Sequence, residues 1–538
     1  MAVGERLRAK SYGWAPLLAL AATSTLGAGE NTSVSQAVNG IQRTFHVSNS
    51  TVGLLPVAVS VVAVAGAPPF GLLADRRRRT VVLAGAMLAW TLFEGLNGLA
   101  WSFGALLAFR LGVGFAEASG SAAISLVGDY WPVDQRAMRM GWYSAGGIVG
   151  ALIGFVGGGV AVSVGGWRWA FWFWVPLGVA IAGYLLAQPE PARGHQDADL
   201  EADRVAAATL GANAPVAAAE AVLAAEGTPA DGETGTVRPT FTLASQLPPP
   251  RRVGTLNYRT DGVKEVMREL FRIPSMWWAL VSLTVAQCLT AALGFWAVPF
   301  FERVDHLRPV AAGAFAGIIL PASIAGVLGG GVIADRLFRR GVLNARVYVV
   351  VAASLISAAS LPLGFATHNL IVSGVFLAIG GCAVTLPIAP SEALFNDVVV
   401  ADLRGRAASV RSMVRAASSA GSLIVGIMAD HLGGSSAGHA AGLQHALVIF
   451  APACGLAGIT FIFAKRSYAH DVAFVCAETA RLAEARAAEA AASDAARVPG
   501  AEVDGRVPGH LLRRGSTVGT SIASAPTGGA GKEGVPGA

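Results

Sequence analysis

Twelve apolar stretches, each long enough to cross a bilayer, constrain this chain more than any other feature. A spanning helix needs about 20 mostly apolar residues to traverse a hydrocarbon core about 30 Å thick. On that criterion spans are expected near 14–38, 52–74, 80–101, 105–127, 138–163 and 167–187. Six more are expected near 275–299, 310–334, 345–366, 369–393, 407–429 and 443–464. Hydrocarbon offers backbone N–H and C=O groups no water to bond, so such stretches fold as helices. The first is too long for a cleaved leader and lacks its small-residue end. Composition agrees, with 14% charged and 54% hydrophobic residues, where a soluble domain carries about 25% charge. A disordered chain, a collagen-like chain and a typical soluble enzyme are excluded. The fold class expected is an all-α membrane protein, twelve transmembrane helices in two six-helix halves.

The polar segments divide the chain further. Residues 1–188 hold the first six spans, and 189–258 form a flexible linker opening on Pro189 and Pro191 and closing on Pro248-Pro249-Pro250. Residues 259–466 hold an amphipathic helix (259–272) and the second six spans, and 467–538 form a partly disordered tail. With the N-terminus inside, seventeen Lys and Arg of the short loops and ends fall on the inner side. Only Arg43, Arg168, Arg303 and Arg308 fall outside, so both termini are expected in the cytoplasm. This bias also explains the pI near 9.4 without a nucleic-acid partner. Lysine is scarce, with only Lys10, Lys264, Lys465 and Lys532. That usage suits a GC-rich bacterial genome, hence a bacterial inner membrane. Four cysteines imply no disulfide framework.

One string occurs twice. After span two the chain reads Gly71-Leu-Leu-Ala-Asp75-Arg76-Arg77-Arg78-Arg79, and after span eight Gly331-Val-Ile-Ala-Asp335-Arg336-Leu-Phe-Arg339-Arg340. Topology alone needs the arginines but not the matching Gly and Asp. The string resembles the loop motif of the major facilitator superfamily. That resemblance implies two parallel halves with a binding site between them at mid-membrane. Span four reads Arg110-Leu-Gly112-Val-Gly114-Phe-Ala-Glu117 and its loop Gly128-Asp129-Tyr-Trp-Pro. Span seven ends Gly294-Phe295-Trp296-Ala-Val-Pro299-Phe-Phe-Glu302-Arg303. These look like the spinster-type branch, associated with sphingolipid and lysophospholipid export. Its Asp-Arg pair of span one falls here on Glu30-Asn31, so the acid is one methylene longer and the base is absent.

Ionisable groups inside a span are costly and usually functional. Glu30, Glu117 and Arg110 are therefore the expected proton-coupling residues, against the plainer reading of a static ion pair. Arg110 and Glu117 lie seven residues apart, two turns on one helix face. Glu94 in span three offers a relay, but the reading favoured is a structural residue beside the polar Asn97. A cytoplasmic gate is expected from Gly71, Asp75, Arg76, Arg79, Asp335, Arg336 and Arg136. Asn31, Gln287, Thr284, Trp296, Arg415 and Glu392 are expected around the cavity, with Arg411 equally able to snorkel to the interface. Gly141, Gly150, Gly154, Gly158 and Gly159 form a packing hinge. Their spacing resembles the superfamily's antiporter motif, with Phe155 where proline is usual, a mild argument for export. Trp167, Trp169, Trp172 and Trp174 read as an interfacial belt.

No Gly-x-x-x-x-Gly-Lys-Ser/Thr loop, metal-spaced His/Cys cluster or Ser-His pairing occurs. No catalytic residue, metal or cofactor is therefore expected. The expected protein is a monomeric secondary transporter that exports a lysolipid-like amphipath with protons. Alternatives are a general drug or small-organic-anion transporter, and a non-transporting receptor.

Overall fold

Helix boundaries follow from the local chemistry. Ser48 opens α2 (Asn49–Arg76) by accepting the Thr51 N–H at 3.2 Å, and Ser102 opens α4 (Phe103–Glu117) on the Ala105 N–H at 3.1 Å. Such caps satisfy amides that the first turn leaves unpaired. Upstream, α1 (Ala15–Phe45) begins with a proline in its first turn and ends at His46, whose φ of 54° turns the chain left-handed. The computed structural model describes residues 12–131, 133–191, 248–252, 268, 269, 271–400, 403, 407, 416–433 and 439–497.

The first half continues with α3 (Arg79–Leu99), α5 (Gly120–Tyr130), α6 (Val133–Gly165), α7 (Trp169–Trp172) and α8 (Val175–Leu186). In the second half come α9 (Pro274–Arg303), α10 (Pro309–Gly317), α11 (Ile319–Arg339) and α12 (Ala345–Ala366). It is completed by α13 (Leu370–Thr385), α14 (Ile388–Asp397), α15 (Ala420–Gly433) and α16 (His439–Thr460). The chain to Ala480 is one compact unit; the second unit, from Arg481, includes the end of α17 (Lys465–Arg497).

Among the described residues, nine helices are long and apolar enough to cross a membrane. The other predicted spans correspond to α1, whose 31 residues include many polar ones, to the broken pair α4 and α5, and to the stretch entering α15. Much of that last stretch, with Arg411 and Arg415, lies outside the described residues, as does most of the amphipathic helix expected at 259–272.

Helices α1 and α6 approach backbone to backbone, and glycine sets their geometry. A Cβ built at Gly146, Gly150 or Gly154 would collide with the carbonyl of Ala21, Thr25 or Gly29, and one at Gly158 with Ser33. Both series advance by four residues, so the two backbones touch along a shared stripe. Gly159 instead abuts Pro309 of the second half, and Gly141 faces open space. Three of the five expected hinge glycines thus sit in the α1 contact, and Gly146, not among the five, joins them.

The halves are joined at the face opposite the Arg76–Arg79 and Arg336–Arg340 loops, here the far face. An apolar cluster there draws Val34, Val38 and Phe171 from the first half and Phe295, Phe300 and Val425 from the second. A polar latch crosses the same seam. Arg303 donates to Asn39 at 2.6 Å, to Asn49 at 2.8 Å and to Gln42, while Asn39 donates to Glu302. Asp430 accepts the Asn49 and Ser50 N–H groups at 2.9 and 2.8 Å, so an acid of one half caps α2 of the other. Apolar packing and this latch join the halves at the far face.

Candidate functional site

Three helices of the first half carry charge into the interior. Glu30 projects from α1, Glu94 from α3, and Arg110 and Glu117 from α4. Arg110 Nη1 is ion-paired with Glu30 Oε1 and lies 3.5 Å from Glu94 Oε1. Glu30, Glu94 and Arg110 are each 0% exposed. Glu117 is within electrostatic reach of Glu30 and Arg110 and within hydrogen-bonding reach of Asn31. Three carboxylates thus surround one guanidinium. Each buried charge costs several kcal/mol unless paired. The group is neutral only when protons neutralise two of its three acids. This is an arrangement that can hold and release protons.

The helix break at Ala118–Ser119 lies beside this cluster. There the Ser119 N–H turns back to the Ala116 carbonyl at 3.2 Å, α4 ends at Glu117, and α5 restarts at Gly120. Such a break leaves the last carboxylate of α4 beside a cavity of about 440 Å³. Thr23, Ser24, Asn31, Trp90, Glu117 and Tyr143 are among its lining residues. By their positions along α1, α3 and α6, they belong to the half of the membrane nearer the arginine-rich loops. Glu30, Glu94 and Arg110 sit behind Glu117 and do not line it.

The expected gate residues divide into two groups. Arg79 is buried, ion-paired with Asp129, and donates to Ser125 at 3.0 Å and to the Pro191 carbonyl at 3.1 Å. Glu190 caps α3 by accepting the Arg79 and Thr80 N–H groups at 3.1 and 2.9 Å and the Thr80 hydroxyl at 2.8 Å. Burial works against charge on Glu190, but these donors and the Arg79 guanidinium hold its carboxyl below the usual carboxylate range. By contrast Arg76, Asp335 and Arg336 are exposed, while Gly71 has open space around it. The side chains of Asp75 and Arg136 lie outside the described residues.

The second half repeats the clamp with different residues. Arg346 at the start of α12 is ion-paired with Asp397 at the end of α14, and Tyr468 donates to Asp397 at 2.7 Å. In both halves an arginine opening the third span holds an aspartate closing the fourth, and a residue beyond the sixth completes the set. Asp129, Glu190, Asp397 and Tyr468 have no place in the expected gate. Only the two aspartates had a sequence signal, their matching positions at the ends of spans four and ten.

Several expected cavity residues sit elsewhere. Trp296 is fully buried and donates to the Ser422 carbonyl at 2.8 Å, so its ring packs α9 against α15. The Thr284 hydroxyl is spent on the Leu280 carbonyl of its own helix at 2.6 Å. Gln287 is half-buried on α9, and Glu392 is half-buried on α14. Arg415 lies outside the described residues. The tryptophan belt also needs correction: Trp167 and Trp174 are core residues, and Trp174 donates to Ser33 at 2.9 Å. Glu94 stands 3.5 Å from the Asn97 amide beside which it is expected, and equally 3.5 Å from Arg110, which it shares with Glu30.

A family model, Major Facilitator Superfamily, matches residues 18–422. The mouse (Mus musculus) protein spinster homolog 3 is 26% identical over 452 residues, spanning 78% of this chain and 77% of that protein. A sphingosine-1-phosphate transporter of Xenopus tropicalis is 29% identical over 199 residues, 35% of this chain and 39% of that transporter. The crystal structure of a bacterial homolog of the human lysosomal transporter spinster, inward-facing and occupied, superposes with a TM-score of 0.66 at 19% identity. It covers 86% of this chain and 98% of its own, a likeness of fold. With the duplicated loop and the helical frame, these matches identify the chain as a multi-pass membrane transporter of the Major Facilitator Superfamily, one that resembles the spinster proteins.

Proposed function

We propose that the protein exports a lysolipid-like amphipath by alternating access, driven by proton exchange at Glu30 and Glu117 with Arg110 tuning both. The observation that carries this reading is the buried group of three acids and one base, reached from the cavity through Glu117. Halves joined at the far face and a cavity toward the arginine-rich side fit one of the two states that alternating access requires. The positive-inside bias makes the arginine-rich face and both termini cytoplasmic, in a bacterial plasma membrane. The protein works as a monomer, with residues 189–258 as linker and 467–538 as tail.

The cavity has the chemistry of an amphipath's polar end. Asn31, Thr23 and Ser24 offer hydrogen bonds, Glu117 offers negative charge for an ammonium, and Trp90 and Tyr143 offer aromatic faces. Protonation of Glu117 and release of Arg110 from Glu30 alternate as the halves rock. The duplicated clamps at Arg79 and Arg346 hold the arginine-rich ends of each half together, as a gate frame.

Reconstitution tests this directly. Liposomes loaded with labelled lysolipids or small organic anions, under an imposed pH gradient, are expected to move the lysolipid only. Glu117→Gln is expected to abolish the gradient-driven component. Full proton coupling in both Glu30→Gln and Glu117→Gln proteins would refute the assignment.

A further inference from the structure

We propose that Glu94 is a second seat for Arg110, a positioning residue that takes the guanidinium whenever Glu30 is protonated. The inference rests on the proton-exchange reading above and extends it to a third helix. Arg110 Nη1 touches Glu30 Oε1 and stands 3.5 Å from Glu94 Oε1, so a small movement of one flexible side chain exchanges its partners. Glu94 has no exposure and no place on the cavity wall, so it exchanges charge only through the cluster. Its Oε2, the Arg110 Nε and the Asn97 Oδ1 are all buried without hydrogen-bond partners. These are spare capacities of the kind that a guanidinium moved onto Glu94 would use, since its fork can grip a carboxylate with two parallel N–H groups.

The surroundings leave Glu94 no other cation among the described residues. Glu30 from α1 and Glu117 from α4 face it as acids, and Arg110 is the base within reach. The other helices against α3 are α7 and α8, which carry no charged residue, α5, whose Asp129 is held by Arg79, and α2, whose Arg76 is exposed at the loop end. A carboxylate left ionised and unpaired here would cost several kcal/mol. Hence one proton serves two carboxylates. While Arg110 sits on Glu30, Glu94 carries the proton; when Arg110 moves to Glu94, that O–H proton is given up and Glu30 gains one. The charge of the trio is conserved, and Arg110 moves from the acid of α1 to the acid of α3.

Two variants test the second seat. Glu94→Gln copies the protonated form and cannot receive Arg110, so protonating Glu30 leaves the guanidinium without a partner. The pH midpoint of gradient-driven transport should then move toward acid by about one pH unit or more, a tenfold loss of proton affinity. Glu94→Asp should return it most of the way. An unmoved midpoint in folded Glu94→Gln protein, or equal shifts in both variants, overturns the proposal. Infrared spectroscopy of the purified protein at neutral pH provides a readout that needs neither transport nor a folded Glu94→Gln protein. In Glu30→Gln, Arg110 should settle on Glu94, and the absorption of one protonated carboxyl should disappear relative to wild type. Its persistence overturns the second seat. A wild-type transporter without proton coupling would sink the broader reading instead, and the infrared result would still decide the role of Glu94.

Discussion

The two halves share a frame but not a chemistry. Each begins its third span with an arginine that grips an aspartate at the end of the fourth, Arg79 with Asp129 and Arg346 with Asp397. Yet Glu30, Glu94 and Arg110, fully buried inside the spans, all belong to the first half. Where the second half meets the first it offers the buried Phe295, Phe300 and Phe301 beside the Glu302, Arg303 and Asp430 of the polar latch. Duplication preserved what holds a half together. The ionisable groups at mid-depth are not repeated among the described residues of the second half, and each costs several kcal/mol when buried unpaired. The buried acids at mid-depth and the base they share stand in one half.

The largest way to break this asymmetry is to remove the buried base. Arg110→Met leaves Glu30 and Glu94 unpaired at 0% exposure, so a loss of about 3–5 kcal/mol is expected together with transport. Thermal unfolding in detergent and vesicle uptake measure both. Truncating either clamp should compare the shared frame directly. Arg79→Gln removes bonds to Asp129, Ser125, Glu190 and Pro191 and should cost about 2–3 kcal/mol. Arg346→Gln, at a site where Asp397 is 31% exposed, should cost about 1 kcal/mol or less. Equal losses would show that the halves do not differ in how deeply they anchor their clamps.

The seam between the halves gives a third test. Gly313 of α10 abuts Gln36 and the Phe155 carbonyl of the first half, so Gly313→Leu cannot fit this seam. Cysteine-labelling at Ser35 on that seam, hydrogen-bonded to the Phe295 carbonyl, should rise severalfold in this variant. The smallest effect concerns pH. The Glu190 carboxyl is held below its ordinary range, so its contribution to stability is complete above the unfolded value of about 4.3. It is lost only as pH falls through the lower, folded value. The stability difference between wild type and Glu190→Gln should therefore stay constant from pH 8 to about pH 5 and shrink in stronger acid. A difference already shrinking near pH 6 would contradict this assignment.

Much of the frame was legible because a bilayer leaves few choices. Long apolar runs must be helices, and loop arginines report sidedness. The pairing of Glu30 with Arg110 was foreshadowed by two costly residues in apolar surroundings. For Glu94 the local pattern offers Asn97, three residues on, while the equally near Arg110 comes from another helix and is invisible to that pattern. Trp174 and Trp296 were misplaced for a related reason. Tryptophan suits both an interface and a core, and only a carbonyl or hydroxyl from a distant segment, Ser422 or Ser33, decides between them. The capping acids Glu190 and Asp430 act on helices more than a hundred residues away, a relation that no local pattern contains.

The stripe where α6 touches α1 has a mechanical consequence. Carbonyls of Ala21, Thr25 and Gly29 lie against glycines with no side chain between them, so the pair resembles two meshed racks more than two greased rods. Neither helix can roll or slip by a fraction of a turn without driving backbone into backbone. Glu30, one residue beyond Gly29, is therefore held at one depth and one heading by α6. To aim this acid at a different side of the membrane, the whole half must tilt.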